Sequence, residues 1–292
     1  MPFSSMDDLV NEITSGKFNR SDWNKITGGT AYTAARWYDF SGLAGTPVAN
    51  AFAGTALAWR TCDELTGNGT QIFGLPHGGN VSPDTKHVLN VNALTGVATG
   101  VPAQLMLVDL QGYWPGITNN SATAQTLTGT PSLRYANGAG CRLFWVQTAA
   151  AGATAQNIAL SYSNTVPTAG RTLPVTVAMT ASAIVGHISH SGAASNNYGP
   201  FLPLASGDTG VSTVATVTFS AANTGTGALC LARPLLTLPL TTVSVAAERD
   251  LLNQLPSLPR VMDGACLTWL YFAGAAAAAS TNFYGAVEVG WG

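Results

Sequence analysis

The chain has 292 residues, 46% of them hydrophobic and only 9% charged, with a formal net charge of −2. A chain this apolar and this charge-poor is not intrinsically disordered, and it has no basic surface to hold a nucleic-acid backbone. It has no uninterrupted apolar run long enough for a membrane-spanning helix, and its length suits two domains of ordinary size.

Residues 1–40 read differently from the rest. Met1–Asp8 lacks a basic stretch followed by an apolar one, so no secretory signal peptide is expected. Ser4 or Ser5 caps a short predicted helix with Asp7 and Asp8 in its first turn, where the helix dipole favours acids. Leu9, Val10 and Ile13 form its apolar stripe, and Gly16 ends it. A polar stretch around Trp23 follows, then Gly28-Gly29, then Trp37-Tyr38. The segment reads as an arm whose apolar residues contact another subunit. The alternative is that it folds back on its own domain.

From Ser41 onward the pattern is β. Leu105–Leu110 is an apolar run suited to a buried central strand. Ile158, Leu160 and Tyr162 alternate with small residues (Ala, Ser or Thr), as do Val175, Val177 and Met179, and Ala215, Val217 and Phe219. Period-two alternation is the strand signature. Asn68-Gly69, Asn137-Gly138, Ser206-Gly207 and Asp263-Gly264 are turn chemistry. Short strands between such turns predict sandwiches or jelly rolls. One helical island is expected at residues 244–252, with a weaker counterpart at 121–127.

A repeat organises this pattern, and repeats decide the fold when they are present. Pro131-Ser132-Leu133-Arg134 leads through Asn137-Gly138 to Cys141. Pro256-Ser257-Leu258-Pro259-Arg260 leads through Asp263-Gly264 to Cys266. The cysteines are 125 positions apart, each is followed by an aromatic run, and Asn157 and Asn282 continue the offset. Leu75-Pro76 answers Leu202-Pro203, and Pro115 answers Pro239. The expected architecture is all-β: two tandem, internally duplicated β-sandwich or jelly-roll-like domains, 41–165 and 166–292, behind an N-terminal arm over 1–40 with a short helix. The boundary falls in the Pro/Gly-punctuated segment 163–170.

The chain offers little chemistry. His187 and His190 are the best metal pair, but residues three apart on a strand point to opposite faces and no third ligand is near. They are expected to bind no metal. Ser189 and Ser191 beside them lack an orienting acid and a nucleophile elbow. Asp63-Glu64 reads as a solvated turn. Asp109, inside an apolar run, needs a partner, and Arg233 falls at its place in the second copy. The four cysteines form no CxxC pair and are expected to be free buried thiols. No cofactor is implied, and the chain is not expected to be an enzyme. Tyr113-Trp114-Pro115-Gly116 reads as a loop tip at a subunit contact.

The charge depletion suits a surface packed among neighbours, since interface cores are poor in Lys, Glu and Asp. With Trp23-Asn24-Lys25-Ile26-Thr27-Gly28-Gly29-Thr30-Ala31-Tyr32 and Trp37-Tyr38-Asp39, the chain resembles virion structural proteins of tailed bacteriophages, and among these head decoration (cement) proteins. The resemblance implies a β-sandwich homo-oligomer, a trimer by preference, made in the bacterial host cytoplasm. It would bind the phage major capsid protein on the capsid exterior, with no nucleic acid or membrane partner. The residues themselves, the apolar stripe and the isolated aromatics, give Leu9, Val10, Ile13, Trp23, Trp37, Tyr38, Tyr113 and Trp114 as the expected inter-subunit contacts. The alternative is a tail, fibre or lectin-like receptor-binding virion protein.

Overall fold

The computed structural model describes residues 3–166, 168–191, 199–250 and 259–292. Pro256-Ser257-Leu258 of the second motif, and Leu251 and Leu252 of the expected helical island, lie outside these residues.

Helix α1 (Met6–Thr14) forms where the sequence places it. The Ser5 hydroxyl accepts from the Asp8 amide, and Asp7 and Asp8 occupy the first turn. The strands follow in order: β1 Phe18–Ile26, β2 Arg36–Asp39, β3 Ala44–Thr46, β4 Arg60–Thr61, β5 Lys86–Leu94, β6 Ala103–Thr118, β7 Gln125–Thr126, β8 Arg142–Ala149 and β9 Gln156–Asn164. After them come β10 Arg171–Thr172, β11 Val177–Met179, β12 Val211–Phe219, β13 Thr226–Leu240, β14 Ala247–Asp250, β15 Arg260–Val261, β16 Leu267–Ala273 and β17 Asn282–Trp291.

Among the described residues three antiparallel sheets result. The central one runs β2-β16-β6-β13-β8, with β4 on β6. The first outer sheet runs β14-β5-β17-β1-β3, and the second β10-β9-β12-β7. Along β13 the inward residues show how they stack. Leu229 and Leu231 join the core beneath the second outer sheet. Leu236, Leu238 and Leu240, beyond a register shift, join the core beneath the first. Both outer sheets therefore pack side by side on one face of the central sheet, with Asp109 and Arg233 opposite each other in the β6–β13 register between them.

The other face of the central sheet is closed upon itself. Residues 186–188 bridge its two edge strands. Ile188 N donates to Trp37 O on β2 at 3.0 Å, and Gln147 N on β8 donates to His187 O at 3.0 Å. The interior behind this closure holds Val108, Leu110, Phe144, Ile188, Cys62 and Cys266. Closure removes the unpaired edges that an open sheet would expose.

The repeat is visible in the pairing. β5 and β12 match at an offset of 125, β6 and β13 at about the same offset, and β8 and β16 each begin directly after a motif cysteine. β8 pairs the first half of β13, as β16 pairs the first half of β6. Pro115 and Pro239 sit on the stretches of β6 and β13 that have lost that outer neighbour, where a missing N–H is tolerated.

The halves are not tandem, however. β5 of the first copy pairs β17 of the second, and β12 of the second pairs β9 of the first. The reason is strand length. β6 has 16 residues and spans about 50 Å, so it begins under one outer sheet and ends under the other; β13 returns the opposite way. One sandwich is thus built from residues before about 109 and after about 233, the other from the stretch between. The expected boundary at 163–170 falls between β9 and β10, which pair with each other within the second outer sheet. The expected helical island is strand β14, paired with β5, because an available sheet edge outweighs weak helix propensity. Its counterpart contains the short strand β7, paired with β12.

A prediction follows from the exchange. Residues 166–292 expressed alone lose β9 from β12 and β5 from β17. The fragment is expected to show no cooperative thermal transition by circular dichroism, and to regain one when residues 1–165 are co-expressed with it.

Candidate functional site

The two copies of the motif meet where the sandwiches join. Arg134 of the first copy is mostly buried and grips Asp109, which is fully buried on β6. Arg134 Nε donates to Asp109 Oδ2 at 3.1 Å and Nη2 to Oδ1, while Nη1 and Nη2 reach Cys62 O and Leu110 O, each at 2.7 Å. Cys266 N, in the second copy, donates to Asp109 Oδ1 at 3.0 Å. Planar bidentate pairing of this kind holds a carboxylate in fixed orientation. Asp109 finds its ionic partner in Arg134 rather than Arg233. Arg233 lies over the Tyr135 ring at 4.4 Å and donates to Ala139 O at 2.6 Å.

Beside this clamp lies a cleft of about 250 Å³, lined by Ser82, Asp84, Lys86, Arg134, Arg260 and Asp263 among others. Its wall belongs to a buried polar network absent from the sequence reading. Lys86 Nζ lies 2.7 Å from His77 Nδ1, contacts Gly79 O and stands 3.6 Å from Asp263. His77 Nε2 lies 2.8 Å from Ala265 O and 3.1 Å from Glu64. Glu64 Oε1 accepts from the amides of His77 and Gly79. Burial and the Lys86 charge hold His77 below its ordinary pKa, and burial lowers Lys86 as well. His77 is therefore the neutral link between a buried carboxylate and a buried ammonium. Glu64 is not on a solvated turn; only its neighbour Asp63 behaves so, accepting from Leu65 N at 2.8 Å. The sequence carried one signal for this network: Lys86 shares a strand face with Val88 and is one of only three lysines. Arg134's donors are occupied by Asp109, Cys62 and Leu110. The arrangement cross-links the two sandwiches.

The expected contact residues are mostly elsewhere than expected. Trp23, Trp37, Tyr38, Tyr113, Trp114 and Leu9 are all buried in the chain's own core. Ile13 is half-buried, and only Val10 of the eight is well exposed, at 55%. Tyr113 and Trp114 lie within β6 rather than on a loop tip, and the Tyr113 hydroxyl donates to Ala53 O at 3.0 Å. The described part of the expected arm over 1–40, residues 3–40, is not free: β1 pairs β17 over nine residues and β3 on its other side.

His187 and His190 lie at the closure of the central sheet, both buried. Ser189 Oγ donates to Gln147 Oε1 at 3.1 Å, and Ser191 Oγ accepts from Trp37 N at 3.0 Å. These hydroxyls serve the closure. Among the described residues no group of three or more His, Cys, Asp and Glu is placed to hold a metal ion. The four cysteines are buried thiols, and burial pushes Cys141 up to about 12.

Burial pushes His187 down to about 3 and His190 to about 4, so both stay neutral in the folded chain. The unfolded chain binds these protons near pH 6.5. Stability is therefore expected to fall as pH drops from about 6.5 toward 4, by up to about 1.4 kcal/mol per unit for each histidine. Urea midpoints measured across this range check it, and the slope should shrink in His187→Gln.

The molecule is thus an all-β protein of two strand-exchanged sandwiches on one closed sheet, joined by a buried ionic clamp. No family model matches the chain, and no curated protein matches it. Among solved structures it overlaps the VP2 subviral particle of infectious bursal disease virus, with 9% identity and a TM-score of 0.20, covering 94% of this chain and 80% of that chain. The structure of the Gt strain of the same virus gives 10% identity and a TM-score of 0.18, with the same coverage. TM-scores this low do not establish a common fold.

Proposed function

We propose that this chain is a structural protein of a virion, and specifically a decoration protein that binds and stabilises a phage head lattice. The observation that carries this reading is the surface. The chain has 12 basic and 14 acidic residues, and Lys25, Asp39, Glu64, Lys86 and Asp109 are buried among the described ones. Two of the three lysines are therefore withdrawn from solvent. A freely diffusing monomer ordinarily keeps a charged, mixed surface, whereas surfaces that pack closely against neighbours are depleted in Lys, Glu and Asp. The resemblance to phage head proteins supports the same reading. Among the described residues no helix is long and apolar enough to cross a membrane. With residues 3–40 folded into the body, the proposed lattice contact would use the outer faces of the sheets and their loops.

Co-sedimentation with capsids assembled without the protein tests the proposal. The expected result is saturable binding, regular added density in negative stain and greater resistance of the capsid to disruption. Protein that remains in the supernatant would overturn it. Density confined to tails would replace it with the tail or fibre reading.

A further inference from the structure

A second cavity, of about 320 Å³, lies away from the seam, at the small end of the ~300–1,000 Å³ typical of ligand sites. Asp39, Asn50, Phe52, Gln71, Val146 and Val185 are among its lining residues. Two of them are buried polar groups: Asp39 is 2% exposed and Asn50 3%.

The Asp39 carboxylate accepts from Ser41 N at 3.1 Å and from Ser41 Oγ and Gly42 N, each at 2.8 Å. Asn50 Oδ1 accepts from Phe52 N at 2.9 Å and Asn68 Nδ2 at 3.1 Å, which fixes the orientation of the amide. Among the described residues its Nδ2 has no hydrogen-bond partner. A buried donor without a partner costs about 1–3 kcal/mol, and most such groups in folded proteins are satisfied.

Gly42 also lines the cavity. A Cβ there would stand 3.3 Å from Asp39 Oδ2 and 3.7 Å from the Phe52 ring. The missing side chain keeps the space between carboxylate and ring open. Among the described residues no cation lines the cavity. Lys25, whose charge reaches Asp39, commits its amine to Leu43 O and Pro47 O.

These groups define a ligand chemistry. An anion would meet a carboxylate with no facing cation. A cation would suit Asp39 but leave the Asn50 donor without an acceptor. A purely apolar molecule would leave both unmatched. A molecule with several neutral hydroxyls serves both, because each hydroxyl donates and accepts, and its C–H faces fit Phe52, Val146 and Val185. We propose that this cavity binds one neutral, polyhydroxylated ring of monosaccharide size, with a hydroxyl donating to Asp39 and another accepting from Asn50 Nδ2.

Saturation-transfer NMR of the full chain with glucose, galactose, mannose and N-acetylglucosamine, each alone, tests this, with sialic acid as the charged comparison. At least one neutral sugar is expected to bind saturably and sialic acid not to bind. Val185 is 58% exposed, so Val185→Trp blocks the cavity without disturbing the core and should weaken binding at least tenfold. Val175→Trp, at an exposed valine on a different surface, should leave it unchanged. Absence of saturable binding by any neutral sugar, or binding that survives Val185→Trp, would overturn the proposal. Repeating the assay with lipopolysaccharide that carries the bound sugar separates a cell-surface glycan from a free sugar as the source. Co-sedimentation of Val185→Trp with capsids keeps this outcome distinct from that of the lattice-binding proposal.

Discussion

Removing residues 2–36 is expected to unfold the protein rather than to free a surface arm. The deletion takes away β1, which lies inside the first outer sheet between β17 and β3. It breaks nine residue pairs with β17. It also removes Trp23, which packs against Trp269 at 5.3 Å between ring centroids in the core beneath that sheet, together with the buried Leu9 of α1. Trp23→Ala alone should cost about 3–5 kcal/mol, the usual loss for a large aromatic removed from a core. Circular dichroism and urea unfolding of both variants check this. A truncated chain that kept its full cooperative transition would show that the segment is dispensable.

Arg134→Met is expected to destabilise the chain by about 3–5 kcal/mol, since removing one partner strands a buried charge. The loss should exceed that of the pair, because Arg134 also satisfies the carbonyls of Cys62 and Leu110. The double variant Arg134→Met with Asp109→Leu should recover much of the loss, as apolar replacement of buried ion pairs often does. The clamp sits where β6 passes from one sandwich to the other, so the single variant should loosen the seam first. Hydrogen exchange should rise earliest in β6, β13 and the segment after Cys266. Uniform weakening of both outer sheets would argue against that local role.

Alternation and turn chemistry made the strands legible: Ile158, Leu160 and Tyr162 stand on β9 and Val217 and Phe219 on β12, all facing the core beneath the second outer sheet. The repeat was legible too, because Cys141 and Cys266 each precede an equivalent strand. So was α1, whose capping signals are local. Burial of a lone Asp in the apolar run around residue 109 announced a partner, though not which one.

What the chain could not disclose is what depends on pairing between distant residues. An amphipathic strand such as β1 reads the same whether it reaches another subunit or its own β17, because alternation specifies a buried face and not the neighbour that covers it. The two halves look tandem because sequence order is linear. They exchange strands because β6 and β13 are each long enough to cross both sandwiches and run antiparallel through the middle. Lys86, His77, Glu64 and Asp263 are scattered along the chain, and only the fold brings their charges close enough to satisfy one another. The Asp39–Asn50 cavity is of the same kind: its walls come from β2, the loop after β3, β8 and the closure at Gly186. No local pattern encodes a space between segments that meet only in three dimensions.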